Sequence, residues 1–170
     1  MGVEIDVLKY FRHVGIKANY TYTHSSITST KRTMQGNDII VVEQTRPLAG
    51  QAAHVANLSL LYKDTKNMWE AQLTTSYIGK RLCEISNWYE NDIWENDYVR
   101  LEFSAEKSWQ SGLSVFVKAT NLLNLPLVRY IHKGPHTDAV VDAERTSGGD
   151  LIERKERYGQ TIQLGVRFKI

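Results

Sequence analysis

The chain has 170 residues, 42% of them hydrophobic and 24% charged, with a formal net charge of +2 and a mean hydropathy of −0.39. That is material for one domain, and the near-neutral charge gives no reason to expect a nucleic-acid partner. No run of about 18 apolar residues occurs, which excludes a transmembrane helix but not a transmembrane β-barrel, whose strands are half polar.

The first segment that alternates runs from Val3 to about Tyr10, where Val3, Ile5 and Val7 oppose Glu4 and Asp6. Strand side chains point to opposite faces with period two, so the pattern predicts a strand with one apolar face. Next, Val14, Ile16, Ala18, Tyr20 and Tyr22 oppose Lys17, Asn19, Thr21 and Thr23. From about His54 to Tyr62, Ala56, Leu58, Leu60 and Tyr62 oppose Asn57 and Ser59. From Trp69 to about Leu82, Trp69, Ala71, Leu73 and Tyr77 oppose Glu70, Gln72, Thr74 and Ser76. From Asp97 to about Glu106, Val99, Leu101, Phe103 and Ala105 oppose Arg100, Glu102 and Ser104. From Gly112 to about Asn121, Leu113, Val115, Val117 and Ala119 oppose Ser114, Lys118 and Thr120. The closing segment, Arg157 to Ile170, puts Tyr158, Ile162, Leu164, Val166, Phe168 and Ile170 on one parity. Thr161, Gln163, Gly165, Arg167 and Lys169 take the other. No stretch has a convincing helical period, although the run from Asp138 to Glu144 suits a short turn.

The connections between these seven strands alternate short and long. Those at Phe11 to His13, Lys63 to Asn67 and Lys107 to Ser111 are short; those from about Ser29 to Ala53, Cys83 to Asn96 and Leu125 to Arg157 are long. Loops beyond about 12–15 residues are uncommon in compact soluble domains. Outer-membrane barrels have this asymmetry as a rule, with short periplasmic turns and long extracellular loops. The expected fold is therefore all-β: an antiparallel up-and-down transmembrane β-barrel segment of about seven strands. Bacterial single-chain barrels have even strand counts, and an open-edged sheet cannot sit in lipid, so at least one strand is expected before Met1. The opening Met1 to Asp6 has neither the basic nor the apolar region of a signal peptide. The single Cys83 excludes an internal disulfide.

Several local motifs, in order along nearly the whole chain, resemble the C-terminal barrel of TonB-dependent outer-membrane receptors. Gly2-Val3-Glu4-Ile5-Asp6 is similar to that family's GxExD strand, and Val14 to Thr23 to the long strand that follows it. Arg46 to Ala52, leading into Val55-Ala56-Asn57, resembles a proline-marked return from an outer loop. Tyr77-Ile78-Gly79-Lys80-Arg81 resembles its YxGxR, and Val117 to Asn124 its vxNLxN stretch. The resemblance implies residues 1–170 as the C-terminal part of such a barrel, with plug, coupling box and earlier strands absent from this chain. It also implies location in the bacterial outer membrane and a parent receptor importing a siderophore-bound iron, a cobalamin or an oligosaccharide. The implied partners are outer-membrane lipid, the small-molecule or oligosaccharide ligand, and the inner-membrane TonB complex through the plug. One departure is the ending Phe168-Lys169-Ile170, where barrel proteins commonly finish on the aromatic.

Tyr10, Phe11, Trp69 and Trp109 fall by the short turns and Tyr20, Tyr22 and Tyr77 nearer the long loops, the distribution that two interfacial girdles give. The alternative is the core of a soluble sheet. Trp88, Tyr89 and Trp94 lie in a long loop and are the candidate ligand-binding residues, suited to stacking on a sugar or an aromatic ring; the plainer reading is packing between loops. His13, His24, His54, His132 and His136 show no metal-ligand spacing, and Asp138, Asp142, Glu144 and Asp150 lack the EF-hand order, so no metal or cofactor is expected. The sequons at Asn19 and Asn57 fall within predicted strands and read as chance, and Gly148-Gly149 as a flexible loop point. No nucleophile elbow, P-loop or dinucleotide turn occurs, so catalysis is not expected. Two alternatives stay open: a soluble lipocalin-like ligand-binding barrel, and a small outer-membrane structural or adhesin barrel of eight strands.

Overall fold

The computed structural model describes residues 1–132, 146 and 149–169. Among them the chain is all-β, every strand pairing is antiparallel, and there are no helices. The main sheet has seven strands: β1 (Gly2–Phe11), β2 (Val14–Thr23), β5 (His54–Asp64), β6 (Trp69–Ile78), β9 (Tyr98–Ser108), β10 (Leu113–Thr120) and β13 (Thr161–Phe168). They lie in chain order, β1-β2-β5-β6-β9-β10-β13, as an up-and-down meander. β1 and β13 do not pair, so the sheet is not closed into a barrel.

The strand total corrects the sequence expectation of about seven. Six more strands are present: β3 (Ile27–Gln35), β4 (Asp38–Arg46), β8 (Ile93–Glu95), β11 (Leu127–Ile131) and β12 (Leu151–Glu156) stand where long loops were expected, and β7 (Arg81–Glu84) splits from the end of the strand expected over Trp69 to about Leu82. β3 and β4 form a hairpin, and the other four form a sheet of order β7-β8-β11-β12. That order copies the main-sheet order β6-β9-β10-β13, because each upper strand continues a lower one after a short break. Gly79-Lys80 joins β6 to β7, Asn96-Asp97 joins β8 to β9, residues 121–126 join β10 to β11, and residues 157–160 join β12 to β13. The molecule is a main sheet carrying an upper tier, and the tiers part where backbone geometry interrupts the ladder. Asn121 and Asn124 have φ of 55° and 45°, a left-handed conformation that asparagine tolerates better than most residues. Asn121 also ties the break together, accepting from the Tyr98 hydroxyl at 3.0 Å and donating to the Gly159 carbonyl at 2.5 Å.

The sheet register puts most apolar residues of the seven strands on one face, with Leu8, Leu61 and Phe116 among those on the other. Ile5 pairs Tyr20, Ile16 pairs Leu60, Leu60 pairs Leu73, Leu73 pairs Phe103, Phe103 pairs Ala119 and Ala119 pairs Ile162. Partners across an antiparallel pair share a face, so this is one continuous apolar surface. None of the described residues covers it: Leu58 is 50% exposed and Leu60 48%, while Ser59 between them is 6% exposed. On the polar side, Tyr10 of β1 and Arg167 of β13, at opposite edges, line one cavity of about 590 Å³. The sheet therefore curls with its polar face inside. Among the described residues the only buried hydrophobic ones are Ala52, Leu82, Ala119 and Tyr130, so the fold lacks a conventional apolar core.

Two features keep the curl tight. Gly112 closes the β9–β10 turn with φ 83°, and a Cβ there would strike the Lys169 carbonyl, so both conformation and space demand glycine. On the polar face, Tyr10 lies over Gly15 and Phe116 over Gly165, each ring filling the space a side chain would take. Tyr10 pairs with Gly15 across β1–β2 and thus sits on the polar face. That corrects its expected place in an interfacial girdle: strand parity turns the ring inward, where it lies over Gly15.

Candidate functional site

The concave face is a network of short polar contacts. Asn57 donates to Asn19 at 2.8 Å, so the two sequon asparagines meet across β2 and β5. Ser59 and Thr74 share a hydrogen bond at 2.9 Å, as do Ser108 and Ser114. Lys63 pairs with Glu70 at 2.7 Å and Arg167 with Glu106 at 2.8 Å, while the Arg167 guanidinium lies 4.5 Å from the Phe116 ring centre. Charges of both signs, mostly paired, make a wetted lining rather than the dry wall of an apolar pocket.

The upper tier is stitched together by ion pairs. Glu95 on β8 is buried and accepts from Arg81 of β7 at 2.7 Å, with Arg129 of β11 at 3.7 Å; Arg129 also reaches Glu84 at 3.3 Å. Burial pushes the neighbouring Cys83 thiol above its usual range, Arg129 opposing and Glu95 reinforcing the shift. Its thiolate fraction at neutral pH is correspondingly small. A second clasp joins the β3–β4 hairpin to the segment between β7 and β8. Lys31 pairs with Asp92, both almost wholly buried, and Asp92 also accepts from the Ser86 amide at 2.8 Å. Beside it, the Arg32 amide donates to Asn87 and the Tyr89 amide to Arg32, both at 2.9 Å, laying residues 87–89 along the edge of β3.

The structure separates the three aromatics grouped in sequence. Trp88 and Tyr89 lie on the β3 edge with exposed side chains. Trp94 lies on β8, in register with Leu82 and Tyr130, and lines a cavity of about 330 Å³ that neither Trp88 nor Tyr89 reaches. His24, His54, Tyr77, Lys80 and Asp97 line the same cavity. Pairing of β8 with β7 on one side and β11 on the other sets Trp94 in the upper tier, and no local pattern announces it.

Apart from His24 and His54, which line that one cavity, the described histidines are spread apart. His13 approaches the Lys63 carbonyl at 3.1 Å, His54 bonds the Tyr20 hydroxyl at 2.7 Å, and His132 pairs with Asp150 at 2.8 Å. Among the described residues no group of three histidine, cysteine or acidic side chains is close enough to hold a metal. His136, Asp138, Asp142, Glu144, Gly148 and Ile170 lie outside the described residues. The closing strand begins at Thr161, which leaves Tyr158 in the preceding connection, its hydroxyl on Glu156 at 2.8 Å. Comparison with protein-family models, curated proteins and solved structures gives no match.

Proposed function

We propose that this chain is a section of the transmembrane wall of an outer-membrane barrel, of the TonB-dependent receptor kind its motifs resemble. In this reading the upper tier faces outside and the short turns face the periplasm. One observation carries it: the sheet is inside out, with its apolar face exposed across seven strands and its polar face curled inward. A soluble monomer rarely exposes an apolar patch beyond a few hundred Å², roughly, and each exposed Leu, Ile or Phe forgoes on the order of 1–2 kcal/mol by staying in water. Lipid removes that cost while the polar face stays wetted. A lipocalin-like pocket would need the opposite polarity, with apolar side chains inside the curl. The parent protein would import a scarce nutrient, and this chain would supply wall and outer loops. Unpaired edges at β1 and β13 fit a place between further strands.

The test is dispersal. The expressed chain should aggregate in plain buffer and run as a single species with strand-rich circular dichroism in dimethyldodecylamine-oxide micelles. A monodisperse protein that melts cooperatively without detergent would overturn the proposal.

A further inference from the structure

Four segments that leave or enter the main sheet meet at one place. Residues after β2, residues before β5, the β6–β7 step and the β8–β9 step all line the 330 Å³ cavity beside Trp94. His54 and Tyr77 there lie on the apolar parity, which sets the cavity at the upper rim of the apolar flank, away from the concave face. Its lining mixes two chemistries. Trp94 and Tyr77 offer flat apolar rings, while Asp97, Gln51, His54 and Lys80 supply acceptors and donors around them. The Tyr20 hydroxyl occupies His54 Nδ1 at 2.7 Å, which fixes that ring and leaves Nε2 for a ligand.

A wholly apolar ligand would desolvate those polar groups without replacing their partners. A small ion would leave the aromatic planes unused. A ring with apolar C–H faces and a girdle of hydroxyls answers both demands. The volume is near the lower end of ligand pockets, roughly 300–1,000 Å³, room for one or two such rings. We propose that this cavity binds a sugar of one or two hexose-sized units, free or as the head of a glycolipid, with Trp94 as the stacking platform. The same lining would hold a sugar whether or not the apolar flank meets lipid, so this proposal and the membrane reading stand or fall separately.

The test uses the full chain, in dimethyldodecylamine-oxide micelles, on an array of immobilised hexose and hexosamine mono- and disaccharides. At least one sugar should be retained, and Trp94→Ala should lose tenfold or more of the binding. Trp94→Phe should stay within about threefold and Asp97→Asn should lose severalfold; these two carry the test if the alanine variant does not fold. Trp88→Ala, outside the cavity, should bind like the parent. The retained sugar is then titrated free and as its dodecyl glycoside: equal affinity marks a soluble saccharide, and a glycoside at least tenfold tighter marks a glycolipid head. Retention of no sugar, or equal losses for the Trp88 and Trp94 variants, would overturn the proposal.

Discussion

Leu60→Arg should abolish stable insertion of the chain into micelles or lipid, while Gln72→Arg one strand away should leave it intact. Leu60 sits mid-strand on β5, flanked by Ile16 and Leu73 on the apolar face. Gln72 sits on β6 on the opposite, polar face, next to Thr74. An arginine at the lipid midplane of a barrel costs about 2–4 kcal/mol, and at a lumen-facing site it only tunes the lining. If the apolar face met water instead, Leu60→Arg would change stability by roughly 0.5 kcal/mol or less, as exposed substitutions do. Refolding yield in micelles, followed by circular dichroism, separates the cases. Equal yields for the two arginine variants would count against a lipid-facing wall.

Lys31→Ala should loosen the upper tier more than any exposed ion-pair change. Both partners of the Lys31–Asp92 pair are nearly inaccessible to solvent. Removing the ammonium leaves a buried carboxylate with the Ser86 amide as its remaining donor. Breaking a buried pair from one side costs about 3–5 kcal/mol, whereas the exposed Lys63–Glu70 pair is screened by solvent and contributes little. Chymotrypsin cleavage at Trp88 and Tyr89 reports the opening, because residues 87–89 are held to β3 by the adjacent backbone bonds. Cleavage that tracks the open population should accelerate on the order of 100-fold or more. Lys63→Ala should leave it unchanged, and a Lys31→Met/Asp92→Leu pair should recover much of the protection. Unaltered cleavage of Lys31→Ala would mean that the clasp does not hold the tier.

The main sheet was legible in the sequence because each of its strands carries a run of alternating apolar and polar residues, and period two survives without any knowledge of neighbours. The upper tier was not. β3 reads Ile27-Thr28-Ser29-Thr30-Lys31-Arg32-Thr33-Met34-Gln35, with no apolar period, and β8 is three residues long. β3 exists through its hairpin with β4, and β8 through pairing with distant partners, as Trp94 with Tyr130. The break at Gly79-Lys80 was hidden for the opposite reason: the alternation of β6 runs toward Leu82, and only the backbone shows that β7 is separate. The left-handed backbone at Asn121 and Asn124, where β10 ends, is likewise invisible to alternation. The candidate site was legible only in part. Aromatic character marked Trp88, Tyr89 and Trp94, but His54 and Tyr77 join Trp94 from strands that sequence spacing does not connect, and only Asp97 is its near neighbour in the chain.

The most direct measurement of the central claim is spin-label accessibility along β5. Single cysteines are introduced as Leu58→Cys, Ser59→Cys, Leu60→Cys, Leu61→Cys and Tyr62→Cys in a Cys83→Ser background, each carrying a nitroxide in micelles. Labels at 58, 60 and 62 should collide readily with oxygen and poorly with a polar nickel chelate, and labels at 59 and 61 should show the reverse, because lipid and lumen alternate along a wall strand. Uniform access of the nickel chelate at 58, 60 and 62, with no period of two, would contradict a lipid-facing wall.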